Sequence, residues 1–264
     1  MACSNSDGTV SVIDGATNAV TATINVGINP DSLAVDQATN TIYVANYGAT
    51  NVSVIDGATN AVTATITVGA NPLGIAVDQA TNTIYVANNG SGTASVINGA
   101  TNAVTATITV GSGPSGVAVD NSTNTIYVAN SVASTVSVID GATNTVTATI
   151  SGFGDPTGVA IDPDTYSVYV ADDNASTVSV LASSTTVNVT WTDPTMVDAD
   201  GNPVVTGYSI YGGSSSTGPW TKVAAVAAGT STYSTTTSSP STCYAVASDS
   251  TSNWQSPIAE AFCG

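Results

Sequence analysis

Carboxylates are the side chains that could do chemistry in this chain. The 264 residues include 17 aspartates and one glutamate, against a single basic residue, Lys222. Two carboxylates that flank a sugar bond could hydrolyse a glycoside, but Asp172 and Asp173 are adjacent, so their side chains diverge and cannot flank one bond. Carboxylates could also bind Ca²⁺, and Asp162-Pro-Asp164 and the Asp172-Asp173 pair come closest to the spacing of a calcium loop. No Asp-x-Asp-x-Asp run occurs, so we expect the aspartates to serve in turns.

The absent residue types exclude most enzyme chemistry. The sequence contains no histidine and no arginine. It therefore cannot form a Ser-His-Asp triad or a histidine zinc site, and Lys222 alone offers no clamp for phosphate or carboxylate substrates. We expect a non-enzyme that uses no cofactor. The net charge of −17 disfavours nucleic acid as a partner, because phosphate binding relies on Lys and Arg. The sequence contains no run of 18 apolar residues, so it predicts no membrane-spanning helix.

A 42-residue unit repeats through the first two thirds of the chain. The motif TVSVID begins at Thr9, and its counterparts begin at residues 51, 93, 135 and 177. The aspartates that end the segments of type GIAVD recur at the same spacing, and they are Asp36, Asp78, Asp120 and Asp162. A fixed period in this range indicates a propeller or a solenoid.

Each unit contains four short apolar segments that alternate with turn residues. In the second unit and its continuation they read GIAVD, TIYVAN, NVSVID and AVTATITV, and we name them strands A, B, C and D. Their period of two and their Val, Ile, Thr and Tyr content predict β-strands. Four strands per unit predict a propeller blade. A β-solenoid is the alternative, and the Asp-Gly hairpin turns between strands C and D argue against it.

Three long motifs recur in a fixed order: TIYVAN, then TVSVIDGATNTVTATI, then GVAVD. With these motifs, residues 1–182 resemble the YVTN-type β-propeller repeat. The resemblance implies radial blades on a secreted or cell-surface protein, and it implies no single chemistry. We therefore predict an all-β chain whose propeller has about five blade units, the first and the last incomplete.

The first and last units lack strands. Met1 falls at the place of Tyr43, in the middle of strand B, so we expect a preceding segment or strands supplied from elsewhere. The unit that opens at Pro156 supplies strands A, B and C but no strand D. Two closures remain open: a tight four-bladed ring within the chain, or contact with another subunit. Unpaired sheet edges are templates for pairing, so we expect a fibre or multimer joined through residues 1–26 and 156–182.

Two connections vary between units, B–C and D–A, and both are predicted to lie on one face. Varied loops on a repeated scaffold are frequent binding positions, and neutral drift explains the variation equally well. The candidate binding residues are Tyr47, Asn89, Ser131, Phe153 and Asp173. Asn-x-Ser/Thr sequons are candidate glycosylation sites, and they fall at Asn51, Asn89, Asn121, Asn174 and Asn188.

The composition changes after Ala182, where residues 183–186 form a predicted linker. The segments VNVTWTDPT, GYSIY and PSTCY then carry Trp191, Tyr208 and Tyr244. With them, residues 187–264 resemble a fibronectin type III domain. The resemblance implies a β-sandwich with Trp191 in its core and Tyr244 as the tyrosine-corner residue.

Three cysteines indicate an oxidising environment. The resemblance places Cys243 at the start of strand F and Cys263 at the end of strand G of the sandwich. A hairpin about residues 252–254 would set them opposite each other, which predicts a disulfide that contributes about 3 kcal/mol by loop-closure entropy. Cys3 stands where the other units have alanine, so we expect a small buried residue with a free thiol, and an intermolecular thiol is the alternative.

Two function classes remain. The first is an extracellular structural or assembly protein that associates with copies of itself. The second is a cell-surface adhesin or glycan-binding module that presents the varied loops to surface glycans or proteins. Aromatic side chains on the loops favour glycan binding, and only Tyr47 and Phe153 are available there.

Overall fold

The computed structural model describes residues 1–181 and, beyond them, 185–190, 205–213, 221–228, 230, 232–237, 243–250 and 261–263. All regular structure in these residues is β-strand, and they contain no helix long and apolar enough to cross a membrane. The chain divides into two compact units. One comprises Met1–Pro163 and Val168–Leu181, and the other comprises Asp164–Ser167 and Ala182–Gly264.

Eighteen strands in residues 1–181 form five antiparallel sheets, which follow the predicted order of strands in each repeat. The first sheet contains β1 (Ala2–Ser4), β2 (Thr9–Asp14) and β3 (Ala19–Asn25). The second contains β4 (Pro30–Asp36), β5 (Thr41–Asn46), β6 (Asn51–Asp56) and β7 (Ala61–Thr67). The third contains β8 (Pro72–Asp78), β9 (Thr83–Asn88), β10 (Thr93–Asn98) and β11 (Ala103–Thr109). The fourth contains β12 (Pro114–Asp120), β13 (Thr125–Asn130), β14 (Thr135–Asp140) and β15 (Thr145–Ser151). The fifth contains β16 (Pro156–Ile161), β17 (Val168–Asp172) and β18 (Thr177–Leu181).

Both faces of each inner sheet are buried, because a sheet packs on either side of it. In the second sheet, Ile42 and Val44 pack toward the first sheet. Tyr43 and Ala45 point the other way and pack toward the third sheet. We name the face toward the preceding sheet the leading face and the face toward the following sheet the trailing face. Alternation along one strand thus fills two cores, which explains why TIYVAN is apolar at four successive positions.

The A strands converge and the D strands diverge, so the sheets spread as a fan. Strands β4, β8, β12 and β16 pack closely on one another, whereas β3, β7, β11 and β15 make few contacts. Glycine permits the close approach: a Cβ on Gly116 would lie 2.5 Å from the carbonyl oxygen of Thr157, on the next A strand. The Ser115 hydroxyl lies 3.1 Å from the carbonyl oxygens of both Pro156 and Thr157, and its one hydrogen can bond to either. These contacts form the hub of the fan.

The repeated aspartates hold turns. Asp56 Oδ1 accepts hydrogen bonds from the backbone N–H groups of Ala58 and Thr59, at 2.7 and 3.1 Å. Asp36 Oδ1 accepts in the same way from Ala38, at 2.9 Å. These are the bonds of Asx turns, and Asn60, with φ of 58°, completes the C–D turn. Among the described residues, no three acidic or cysteine side chains converge as metal ligands.

The first and fifth sheets do not share a strand within the chain. Strand β2 pairs with β1 and β3, and β18 pairs with β17. A shared four-stranded sheet would leave one of the two C strands without a partner, so the separate sheets keep more backbone hydrogen bonds. Within residues 1–181, no strand of the first sheet packs on the fifth sheet as neighbouring sheets pack. The chain therefore does not adopt the tight four-bladed ring.

The second unit contains two antiparallel sheets. Strand β19 (Thr185–Thr190) pairs with β22 (Thr232–Thr237), and the order of the other sheet is β21 (Thr221–Ala227), β20 (Val205–Gly213), β23 (Cys243–Ser250) and β24 (Ala261–Cys263). Strand β19 begins two residues inside the segment predicted as a linker, because Thr185 and Thr186 are β-branched and pair with β22. Buried Val205, Tyr208, Ile210 and Tyr244 form the core of this unit. Trp191, the predicted core residue, lies outside the described residues.

The predicted cysteine pair is opposed in the backbone. Cys243 and Cys263 are Cα partners across β23 and β24, which is the register that the hairpin about residues 252–254 requires. Their side chains lie outside the described part of the chain, so the disulfide stays a prediction.

The hub predicts an asymmetric response to two alanine substitutions. Gly116→Ala should destabilise the repeat unit by about 1–3 kcal/mol, because overpacking forces neighbouring backbone apart. Gly158→Ala is the matched control: it occupies the same repeat position, and its Cβ would meet only Ala171 at 3.6 Å. Urea unfolding of both variants measures the difference, and equal effects would contradict the proposed packing.

Candidate functional site

The varied connections form a single surface, which we name the loop face. It comprises the B–C and D–A connections of the five sheets. In four sheets, the first residue of the B–C connection donates its backbone N–H to the preceding D–A connection at 2.9–3.0 Å, and the pairs are Tyr47 to Asn29, Asn89 to Asn71, Ser131 to Gly113 and Asp173 to Asp155. The structure thus brings four of the five predicted binding residues to equivalent positions on one face.

Several predicted binding residues serve the scaffold. Asn89 Nδ2 donates to the carbonyl oxygen of Pro114 at 3.1 Å, and Ser131 Oγ donates to that of Gly113 at 3.0 Å. Phe153 is half-buried and packs in the core between the fourth and fifth sheets. Asp173 is exposed, and Tyr47 is half-buried. The loop face therefore offers a ligand fewer free side chains than the sequence suggests.

Two apolar side chains on the loop face escaped the sequence analysis. Ile28 is 65% exposed and Val132 is 76% exposed. Because β-branched aliphatic residues occur throughout this chain, only their position in a connection rather than a strand could have drawn attention to them. Ile28 also lines a shallow depression of about 360 Å³, formed by residues 5–8 and 25–29.

A buried asparagine at the end of the B strand holds the loop face together in the second and third sheets. Asn46 Oδ1 accepts from the backbone N–H of Gly27 at 3.1 Å, while its Nδ2 donates to Ser53 Oγ at 3.0 Å and to Asn51 Oδ1 at 2.7 Å. Asn88 makes the equivalent bonds to Gly69, Ser95 and Thr93. One amide therefore joins strand C to the D–A connection.

Asp172 replaces this asparagine in the fifth sheet. Its carboxylate accepts from the backbone N–H groups of Gly154, Asp155 and Ala175, at 2.6, 3.0 and 3.2 Å. These three donors, led by Gly154, lower the pKa of the Asp172 carboxyl group. The Asp172 carboxylate is buried and accepts hydrogen bonds from the backbone, whereas the neighbouring Asp173 is exposed.

The sequons differ in accessibility. Asn121 and Asn174 are exposed, whereas Asn51 and Asn89 are half-buried. A glycan would be attached to Nδ2, which in Asn89 donates to the carbonyl oxygen of Pro114, whereas Asn51 accepts from Asn46 through its Oδ1. The side chain of Asn188 lies outside the described residues. Asn121 and Asn174 are therefore the sequons that the structure leaves open to modification.

The trailing face of the fifth sheet is an uncovered apolar surface. Val178 and Val180 on β18 are 62% and 56% exposed, and Tyr169 on β17 is 37% exposed. Their counterparts in the second sheet, Val52, Val54 and Tyr43, are buried to within 2%. The difference arises because the third sheet covers the second, whereas no sheet within residues 1–181 covers the trailing face of the fifth.

The leading face of the first sheet, at the other end of the row of sheets, is also uncovered. Ile13 is 43% exposed, whereas its counterparts Ile55, Ile97 and Ile139 are fully buried. Its cross-strand partner Val20 is 60% exposed, against 37–40% for the equivalent valines of the three inner sheets. The two ends of the fan thus expose the two halves of a joint that is closed between every pair of neighbouring sheets.

Cys3 is the one cysteine within residues 1–181. It is half-buried, carries a free thiol and packs against the core between the first and second sheets. Burial, and next the carboxylate of Asp31, raise the pKa of the Cys3 thiol. A protonated, partly buried thiol behaves as a small apolar residue, as the alanine at this repeat position suggests.

Asp172 makes the fifth sheet sensitive to acid. Its lowered pKa contributes stability that is present above the ordinary carboxyl pKa of 3.8 and is lost as the pH falls through the lowered value. Asp172→Asn should remove this dependence and keep the fold, because Thr177 and Ser179 stand where Thr135 and Ser137 accept from Asn130.

Urea unfolding between about pH 4 and pH 2 measures this effect, since the carboxyl groups titrate there. The wild type should lose more stability across that range than the variant. Asp173→Asn is the control, because this neighbouring aspartate is exposed. An identical acid response in the wild type and Asp172→Asn would contradict the assignment.

Comparisons with known proteins agree with this architecture. The family described as YNCE-like beta-propeller matches residues 69–183, and no curated protein matches the chain. Among solved structures 939 chains match, so the fold is widespread and does not by itself select a function. One of them is the hydrazine synthase of Kuenenia stuttgartiensis, with 23% identity and a TM-score of 0.59. That match covers 67% of this chain and 60% of the synthase chain, and it concerns the fold alone. With the fan of repeated four-stranded sheets, these matches identify the chain as a β-propeller repeat protein.

Proposed function

We propose that this protein is a non-enzymatic structural protein of the cell exterior, whose copies join head to tail into a fibre or multimer. The YVTN-type repeat supplies the blades, about five in number with incomplete ends. The joint forms between the trailing face of the fifth sheet in one copy and the leading face of the first sheet in the next. A head-to-tail contact that does not close on itself generates a filament.

The uncovered trailing face is the observation that carries this proposal. The same positions are buried at the joint of the second and third sheets and at that of the third and fourth. A second copy is the proposed occupant, because its first sheet carries Ile13 at the place of Ile55, with Ala2 at the place of Val44. Full burial of a valine side chain contributes about 1.5–3 kcal/mol, so the exposed side chains favour association by several kcal/mol. Association also costs translational and rotational freedom, and we therefore expect it to depend on protein concentration.

Other features support a structural role outside the cell. The 264 residues include no histidine, no arginine and one lysine, so trypsin-like proteases have a single target among them. The accessible sequons Asn121 and Asn174 suit a glycoprotein. The two sheets of the second unit suit the fibronectin type III-like sandwich of the proposal. A disulfide between Cys243 and Cys263 suits an oxidising compartment, and intact mass after alkylation, with and without reductant, decides whether it forms.

The joint predicts the effect of removing apolar surface at β18. The double variant Val178→Thr, Val180→Thr keeps β-branched residues and the net charge, and it should weaken association at least about tenfold, the equivalent of about 1.4 kcal/mol. Sedimentation velocity over a range of concentrations measures it. Val132→Thr is the control, since Val132 is an exposed valine on the loop face. A wild-type protein that stays a 25.9 kDa monomer at every concentration would overturn the proposal.

A second candidate function is binding of surface glycans or proteins by the loop face, as in an adhesin. Exposed Ile28 and Val132 favour it, because isolated apolar side chains on a polar loop surface are available for contact. Binding to an array of neutral oligosaccharides, compared between the wild type and Ile28→Ser, tests this function. Signals that are absent, or unchanged in the variant, would count against it.

A further inference from the structure

We propose that Asp7–Gly8 is a site of spontaneous backbone modification, at which the aspartate converts to isoaspartate through a succinimide. In this reaction the backbone nitrogen of the glycine bonds to the Cγ atom of the aspartate. The hydroxyl of the protonated carboxyl group and the glycine amide proton leave together as water. Water then opens the ring, mostly at the main-chain carbonyl, so that the peptide bond passes through the former side chain. The net change is an isomerisation that consumes no other reactant.

The B–C connection of the first sheet exposes the reacting groups. Asp7 is exposed and Gly8 is half-buried, and both line the shallow depression of about 360 Å³ formed by residues 5–8 and 25–29. The N–H of Gly8 has no hydrogen-bond partner within residues 1–181, and glycine has no Cβ to obstruct attack. The attacking nitrogen is therefore free, and water can reach the ring.

Two serine hydroxyls bind the Asp7 carboxyl group. Ser4 Oγ donates to Asp7 Oδ2 at 2.9 Å, and Ser6 Oγ donates to Asp7 Oδ1 at 3.1 Å. A hydroxyl can both donate and accept a hydrogen bond, whereas a backbone N–H can only donate. These serines can therefore pass a proton to the carboxyl oxygen that leaves as water.

The fold protects the other Asp-Gly pairs in the C–D turns. The N–H of Gly57 donates to the carbonyl oxygen of Asn40, and that of Gly141 donates to the carbonyl oxygen of Asn124, both at 2.9 Å. The side chain of Asn40 also lies so close to Gly57 that a Cβ there would clash with it. A nitrogen that donates a hydrogen bond must lose that bond before it attacks Cγ. The aspartates of these turns should therefore react more slowly than Asp7.

Asn98–Gly99 has the same hydrogen bond without a carboxyl group. The asparagine would react by the same route with loss of ammonia, and the N–H of Gly99 donates to the carbonyl oxygen of Asn82 at 2.9 Å. Because an amide does not titrate, this pair separates the effect of the bonded N–H from the protonation of a carboxyl group. The Asp-Gly pair at residues 14–15 offers no comparison, because the counterpart of Asn82 would precede the first residue of the sequence.

The modification would alter the loop face. Isoaspartate adds one carbon to the main chain before Gly8, whose carbonyl oxygen accepts from the N–H of Val26 at 2.9 Å. That bond joins the B–C connection of the first sheet to the following D–A connection, so a longer main chain should weaken it. The loop face would therefore change with the age of the protein.

Prolonged incubation of the 264-residue protein, in buffer and in urea, tests the proposal. Peptide mapping by chromatography and mass spectrometry measures the product at each site. The rate in buffer divided by the rate in urea isolates the effect of the fold from that of the neighbouring sequence. We expect this ratio to be about three- to tenfold higher at Asp7 than at Asp56, Asp140 and Asn98, as for one hydrogen bond that must break first.

Gly8→Ser is the matched variant. Ser134 and Ser176 occupy the same repeat position with φ of 56° and 52°, close to the 65° of Gly8, so the connection should accept serine. Its Cβ obstructs the attacking nitrogen, and we expect less product at Asp7 and an unchanged rate at Asp56. A ratio at Asp7 that does not exceed those of the protected sites would overturn the proposal, and so would a rate there that Gly8→Ser leaves unchanged.

Discussion

The close approach of the A strands at the hub is the constraint on which the rest of the repeat unit depends. Neighbouring backbones come so near at Gly116 that no side chain fits between them, and Ser115 fills the adjacent space with a hydrogen bond to the next strand. With the inner strands fixed at this distance, the outer strands must spread. The spread opens the wedge that Tyr, Val and Ile side chains fill between sheets.

Neutral polar side chains, rather than ion pairs, connect the sheets of the repeat unit. Lys222 is the one basic side chain, and the sheets are joined instead by asparagine, serine and threonine. Asn46 satisfies three groups at once in a buried position. A buried amide with all its partners in place avoids the desolvation penalty of a charge.

The 42-residue period predicted the fold in detail, because the same strand chemistry returns at every step. Strand β6 occupies NVSVID as expected, and the missing D strand of the fifth sheet follows from the absence of an AVTATI segment after Leu181. The Asx turns were also predictable, since an aspartate bonds to backbone only two or three residues away.

The candidate site was less predictable. The sequence could not show that the Asn89 side-chain amide donates a hydrogen bond to the Pro114 carbonyl, because these residues are 25 positions apart in neighbouring units. Composition also could not reveal that Val178 is exposed, because the residue at the equivalent repeat position, Val136, is a valine too and is buried. Exposure there depends on which sheet lies alongside, a property of the assembled fan rather than of the strand.

Identical joints have an evolutionary consequence. Each sheet meets its neighbours through the same leading and trailing faces, so a duplicated or deleted unit presents the surfaces that its new neighbours already fit. Nearest-neighbour stability of this kind makes the number of repeats nearly free to change. Unequal recombination between the near-identical gene segments would therefore yield longer and shorter foldable proteins in single steps, and selection could adjust blade number without redesigning any interface.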